Sequence, residues 1–211
     1  MLKIYYSRLS SPANKVRMCA SALRLDYEPV ALDLRAGEQR AQAYLAINPF
    51  GKVPAIDDDG FFLFESNAII KYLCRKEDSS LYPDGIDAQA RVDSWCDFAA
   101  SLLSPAYNRV TFNRVLAPRT GAGVDESSLA DGLRFIGRYL PVVDEALTEN
   151  AYIAGPEMTI ADIAILATLD PSEACEIELS AYPALYTWRR QLREQPFYRA
   201  VHRYYGEGVL D

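Results

Sequence analysis

The chain has 211 residues, half of them apolar and 24% charged, a globular mixture long enough to bury a substantial core in one or two domains. Its net charge of −7 is unevenly placed: through Asp78 there are 11 Lys and Arg against 10 Asp and Glu, and beyond it 11 against 19 with no lysine at all. That balance disfavours sequence-independent nucleic-acid binding, which needs a basic surface, and the shift near Asp78 hints at a domain boundary.

In chain order, Leu2–Tyr6 alternates like a strand and stops at Ser7-Arg8. Met1 leads into it with no basic leader, so no signal peptide is expected, and a cytoplasmic location is the default. Pro12 suits a first helical turn, and Val16, Ala20 and Leu23 follow at helical spacing. Tyr27–Leu34 reads as a second strand, followed by a short helix through Ala41, Tyr44 and Leu45 that Asn48-Pro49 stops. Val53–Asp57 and Phe61–Phe64 form a predicted hairpin around Asp58-Asp59-Gly60, where Asp-Gly supplies positive φ values. Glu65–Arg75 reads as helix. The order is therefore βαβ, then α, then ββα.

Ser79–Gly85 carries the turn residues of a linker, and all that follows reads as helix. A long segment from Ala88 to about Leu116 contains Pro105, which should bend it. Leu129, Leu133, Ile136, Leu140, Val143 and Leu147 form a core-facing stripe in which Pro141 predicts a kink. Thr159 can cap a helix whose Asp162 reaches back to the cap's own N–H, with Met158 and Ile163 placed as a hydrophobic staple. Ile163 to Leu169 is apolar on every side, so this helix belongs in the middle of its domain. Leu185, Trp188 and Leu192 mark a further helix, and Pro196-Phe197 begins a last short one. The four cysteines form no C-x-x-C pair and His202 is the only histidine, so a structural metal is not expected. The cysteines read as reduced, buried thiols, and Trp95, Trp188 and His202 as structural residues.

Four stretches, in order and spread over nearly the whole chain, resemble the soluble glutathione transferases. They are Tyr5–Arg17 (YYSRLSSPANKVR), Asn48–Pro54 (NPFGKVP), Glu65–Tyr72 (ESNAIIKY) and Thr159–Ala164 (TIADIA). The resemblance implies a thioredoxin-like α/β domain (βαβαββα) over residues 1–77, a linker over 78–86, and an all-α helical bundle over 87–211. It also implies glutathione as co-substrate, a small electrophile as second substrate, no metal, and a homodimer that binds neither nucleic acid nor membrane.

Each motif also has a physical reading. The resemblance makes Ser10 the catalytic residue, because a hydroxyl there can donate to the sulfur of glutathione while the helix N-terminus near Pro12 adds positive potential. The alternatives are that Ser10 or Ser11 caps the helix, or that Ser11 is the acting hydroxyl. Val53-Pro54 is expected to be cis, turning the Val53 N–H and C=O outward to pair with an extended tripeptide. Glu65 and Ser66 open a helix, where Ser66 can take a carboxylate and Glu65 an ammonium; plain capping is the alternative. Lys52 suits the glycine carboxylate of glutathione or, equally, open solvent. Asn14, Arg17 and Asp97 are weaker candidates, and Asn67 is assigned nothing.

The second-substrate pocket is expected along Arg8-Leu9, the middle of the long helix (Tyr107, Val110, Phe112, Arg114) and the C-terminal segment. Aromatic rings with arginines would suit a planar or anionic electrophile; the alternative, and the more frequent case, is that these are core and solvated-face residues. The reaction implied is attack of glutathione thiolate on a soft electrophile, with hydroperoxide reduction beside it. Glutathione-dependent isomerisation is disfavoured because Ser10-Ser11-Pro12 lacks the cysteine of the zeta-type isomerases. A disulfide reductase and a non-catalytic binding protein on the same fold remain as rivals.

Overall fold

The computed structural model describes residues 1–201. Four strands form one sheet in the order β2-β1-β3-β4. β1 (Leu2–Tyr6) pairs in parallel with β2 (Glu28–Ala31) and antiparallel with β3 (Ala55–Asp58), which continues into β4 (Phe61–Phe64). Ile4 and Ile56 lie directly opposite one another and are fully buried. The β3–β4 turn is Asp59-Gly60, with φ of 52° and 93°. Positive φ at both central residues matches the twist of a two-residue hairpin. β2 is shorter than the expected Tyr27–Leu34; mostly exposed, it holds only the residues registered on β1.

α1 (Ser11–Ala22) carries Val16, Met18, Cys19 and Ala20 into the core, where it packs against α3 (Ser66–Lys76). The helical structure between them in the chain is the short α2 (Gln42–Leu45) with a preceding 3-10 turn at Glu38–Arg40. The second, all-helical part begins with α4 (Ile86–Phe98), which runs on through α5 (Ser104–Thr111) and α6 (Ala117–Thr120). Wide π turns at Ala99–Leu103 and Phe112–Leu116 join the three segments. Each π turn ends just before a proline, Pro105 or Pro118, and the wider turn accommodates the missing N–H.

α7 (Glu126–Glu149) lies against α5 at unusually close range. A Cβ on Gly132 would fall 2.9 Å from both the Ala106 carbonyl oxygen and Val110 Cγ2. α7 runs as one helix through Pro141, the position where a kink is expected. Pro141 is exposed, and so is Gly137, whose carbonyl lost its helical partner to the ring and can turn to water.

α8 (Ile160–Thr168) is buried along its whole length and touches α1, α3 and α4, so one core runs through both parts of the chain. α9 (Pro183–Arg193) and α10 (Pro196–Arg199) close the bundle, α9 against α7 and α10 against α1. The start of α8 is the capping box expected from Thr159 and Asp162. Asp162 does more than cap. Its Oδ2 accepts the Thr159 N–H at 2.8 Å, while Oδ1 accepts the Ile153 N–H at 2.9 Å and the Trp188 Nε1–H at 3.1 Å. Burial pushes this carboxyl upward in pKa, and the hydrogen bonds oppose that shift.

Asp162→Ala would remove the acceptor of four buried donors, the N–H groups of Ile153, Thr159 and Trp188 and the Thr159 hydroxyl, and each costs about 1–3 kcal/mol when left unpaired. We expect a loss of about 3 kcal/mol or more and a fall in Tm of roughly 6–12 °C by circular dichroism. Asp162→Asn keeps the acceptor Oδ1 and should lose less. Michaelis constants at permissive temperature should change little, since Asp162 is fully buried at the start of α8.

Candidate active site

Strand register brings the separate motifs to one end of the sheet, where neighbouring strands finish side by side. Ala55 stands between Tyr5 on β1 and Phe64 on β4. Neighbouring strands lie about 4.8 Å apart, so the chain segments leaving Tyr5, entering Ala55 and leaving Phe64 emerge side by side. Those segments are the loop to Ser10, the Val53-Pro54 pair and the Glu65-Ser66 helix start.

The loop after β1 is pinned from below by Asn14, which is buried and donates through Nδ2 to the Arg8 carbonyl at 3.3 Å. Arg17 accompanies it, with its guanidinium over the Tyr6 ring at 4.2 Å and Nη1 on the Val201 carbonyl at 3.4 Å. Ser10 is the N-cap of α1, and its Oγ accepts the Ala13 N–H at 3.3 Å. Capping occupies a lone pair of the hydroxyl and leaves its proton available to donate. Ser11 is the first helical residue and lines the same cavity.

The second motif is built around the Lys52 carbonyl. It accepts from Tyr44 Oη–H and from Asn48 Nδ2, both at 2.6 Å, while Asn48 Oδ1 accepts the Phe50 N–H at 3.1 Å. Gly51 has φ of 59°, and a Cβ there would press on the Gln39 carbonyl oxygen at 3.0 Å. Asn48 and Gly51 thus shape the turn that delivers Val53-Pro54, whose peptide bond is cis. Among the described residues, the Val53 N–H and C=O make no hydrogen bond. The Lys52 side chain is exposed and forms no ion pair among the described residues.

The third motif starts α3. Glu65 is its N-cap with φ of 68° and ψ of 111°, a sparsely populated conformation for a residue with a Cβ. Its side chain caps nothing and is exposed, while Ser66 beside it is buried. Lys15, reaching across from α1, donates to Ser66 Oγ at 3.1 Å and to Asn67 Oδ1 at 2.7 Å. Asn67 Nδ2 in turn donates to the Cys96 carbonyl at 2.8 Å. Neither residue was assigned a task in the sequence. The signal for Lys15 was there: it shares the buried stripe of α1 with Met18 and Cys19, three and four residues on.

A cavity of about 390 Å³ opens beside Ser10. Leu9, Tyr107 and Phe112 line it as expected positions, and Ser104, Asn108, Thr111, Leu116, Thr168 and Pro171 join them. Ser104, Asn108 and Thr111 fall at helical spacing on one face with Tyr107, so the pattern could have revealed them. Tyr107 contributes only a ring edge, because its hydroxyl is tied to Ser172 at 3.0 Å. Val110 belongs to the core.

Arg114 does not line this cavity. Its guanidinium donates to the Cys175 carbonyl and pairs with Glu176. Hence the described lining is neutral and Arg114 is not part of it. Asp97 is exposed; His202 and the C-terminal segment expected over the cavity lie outside the described residues.

Comparison with known proteins agrees with this geometry. Residues 1–75 match the family described as "Glutathione S-transferase, N-terminal domain", and residues 100–196 match "Glutathione S-transferase, C-terminal domain". The chain is 34% identical over 200 residues to the probable glutathione S-transferase GSTF2 of Oryza sativa subsp. japonica, covering 92% of this chain and 93% of that one. It is 32% identical over 190 residues to glutathione S-transferase 1 of Zea mays, with 87% and 88% covered. Among solved structures, glutathione S-transferase-I bound with lactoylglutathione superposes with a TM-score of 0.87 at 29% identity, covering 95% of this chain and 97% of that one. The theta class enzyme of Xanthomonas axonopodis pv. citri with glutathione bound gives 0.88 at 28%, with 95% and 96% covered. With both halves matched and relatives aligned over nearly its whole length, the chain belongs to the glutathione S-transferase family.

Proposed function

We propose that this protein binds glutathione at that end of the sheet, holds its thiol as thiolate beside Ser10, and adds it to a soft electrophile lodged in the adjoining cavity. The observation that carries this reading is Ser10 itself, a helix cap that also lines the cavity. Its hydroxyl accepts from the helix and donates to the sulfur. A hydrogen bond to a charged acceptor contributes about 1.5–3 kcal/mol, which lowers a thiol pKa by about one to two units from near 8.5. The proton leaves to solvent, so no histidine base is needed. The sulfur then forms a bond to carbon as a halide departs or an epoxide opens, with proximity supplying much of the rate.

Glutathione lies extended, its cysteinyl backbone pairing with Val53 as an added strand. Its γ-glutamyl carboxylate meets the Ser66 hydroxyl and N–H, its ammonium meets Glu65, and its glycine carboxylate meets Lys52. The neutral, partly apolar cavity wall favours an uncharged planar electrophile. Reduction of hydroperoxides uses the same thiolate.

Detoxification in the cytoplasm and assembly as a homodimer complete the reading. None of the described helices is long and apolar enough to cross a membrane. The homodimer is supported by Phe50, 67% exposed with its ring 5.5 Å from Phe64. Light scattering is expected to give the mass of two chains, and the mass of one would remove the dimer.

Ser10→Ala should raise the pKa of the bound thiol by about one to two units and cut turnover, with glutathione affinity largely kept. Ser11→Ala should do less. Titrating the thiolate absorbance of the bound ligand in both variants decides between them, and a worse lesion from Ser11→Ala moves the catalytic role to Ser11. A panel of aryl halides, epoxides, hydroperoxides and mixed disulfides tests the reaction class.

Ser66→Ala should weaken glutathione binding by about ten- to a hundredfold with the thiol pKa unmoved, because the clamp lies at the far end of the tripeptide from the sulfur. Isothermal titration measures this directly. Unchanged affinity would make Ser66 an ordinary cap.

A further inference from the structure

Lys15 is 4% exposed, yet both side-chain groups it bonds, Ser66 Oγ and Asn67 Oδ1, are neutral. Among the described residues, no carboxylate lies within ion-pair distance of it. The titratable groups that bear on its charge are Cys96 on α4 and Glu65 at the start of α3. Burial pushes the Cys96 thiol up to about 12, so it stays neutral and offers no countercharge. The Glu65 side chain is exposed and bonded to nothing at the helix start. A buried ammonium held only by neutral oxygens is costly, and burial lowers the Lys15 pKa to about 8. A group kept at that cost commonly serves a ligand.

The direction of the hydrogen bonds indicates which ligand. Lys15 donates to Ser66 Oγ, which fills a lone pair of that hydroxyl and leaves its hydrogen for an acceptor on the far side. The Ser66 N–H, at the first turn of α3, lacks a helical partner and is a second donor at the same residue. Two donors backed by a cation receive an anion. Asn67 holds the ammonium in place, since its Oδ1 accepts from Lys15 while its Nδ2 is anchored on the Cys96 carbonyl.

We infer that Lys15 is the buried countercharge of the γ-glutamyl carboxylate of glutathione, acting through the Ser66 hydroxyl as a positioning residue that selects for that carboxylate. The inference rests on the glutathione reading above and adds a residue and a discrimination to it. Hydroxyl and ammonium in series place the two charges about 5–6 Å apart, close enough to couple through the poorly solvated helix start. Binding then raises the proton affinity of Lys15. Below pH about 8 the ammonium is already present, and above it the ligand must draw a proton into the site.

The test uses two ligands without an ionisable thiol: S-methylglutathione, and its analogue with 4-aminobutyryl in place of γ-glutamyl. The analogue keeps the amine and lacks only the carboxylate. In calorimetric titration at pH 7, wild-type protein should prefer S-methylglutathione by about tenfold or more. Lys15→Met should narrow that preference about tenfold while leaving affinity for the analogue within about threefold. A purely structural lysine would weaken both ligands alike, and an unchanged preference in folded Lys15→Met overturns the inference.

A second measurement follows the proton with one ligand. At pH 8.5, in buffers of different ionisation enthalpy, wild-type protein should take up more protons on binding S-methylglutathione than Lys15→Met does. Equal uptake also overturns the inference. Wild-type protein that binds neither ligand overturns the glutathione reading itself, an outcome distinct from binding both without preference.

Discussion

The register of Ala55 between Tyr5 and Phe64 is the constraint on which the site depends. A slip of one residue along β3 would send Ile56 to the opposite face and destroy the core against Ile4. The hydrophobic pairing that holds the sheet together therefore also fixes where three unrelated loops emerge. Ser10, Val53 and Glu65 are 43 and 12 residues apart along the chain, yet their loops leave one end of the sheet because burial of Ile4 and Ile56 permits no other alignment. Local devices then finish each loop. Asn14 holds Arg8, Asn48 and Tyr44 hold Lys52, and Lys15 with Asn67 supports Ser66.

α1 couples this end of the sheet to the helical half of the molecule. Its first residues border the cavity, its middle faces α3, and its buried side meets α8. α8 can sit at the centre because Asp162 satisfies the polar groups that its burial would otherwise leave unpaired. The fold thus solves two separate problems with polar groups inside the protein. At Asp162 the buried charge is surrounded by donors and is complete. At Lys15 it is met by neutral oxygens alone.

Most of the architecture was legible in the chain because its signals are local. The alternation of Leu2–Tyr6, the Asp-Gly turn, the Thr159–Asp162 box and the apolar run of α8 each act over a few residues. The candidate site at the end of the sheet was legible through motifs of the same short range. What escaped depends on distant packing. The π turns before Pro105 and Pro118 come from helices choosing to widen where a break was equally open to them. Arg114 lies within the second π turn at Phe112–Leu116, where the 3.6-residue spacing used to group it with Tyr107 does not hold. The pairing of Lys15 with Asn67 crosses 52 residues of sequence, so the place of Lys15 on the buried stripe of α1 could mark its burial but not its partner.

The neutral cavity has a consequence for how such a protein can change. Its wall is largely one face of α5, from Ser104 to Thr111, whose opposite side packs on α7 through Ala106, Val110 and Gly132. Asn108 and Phe112 are exposed and Ser104 and Thr111 only half-buried, so none of them carries the core. Residues of that kind can be exchanged with little loss of stability. The residues proposed to hold glutathione lie elsewhere, on α1, α3 and the turn before β3. On that proposal, point changes along one helical face would redraw the range of accepted second substrates while the residues that hold the thiol stay as they are.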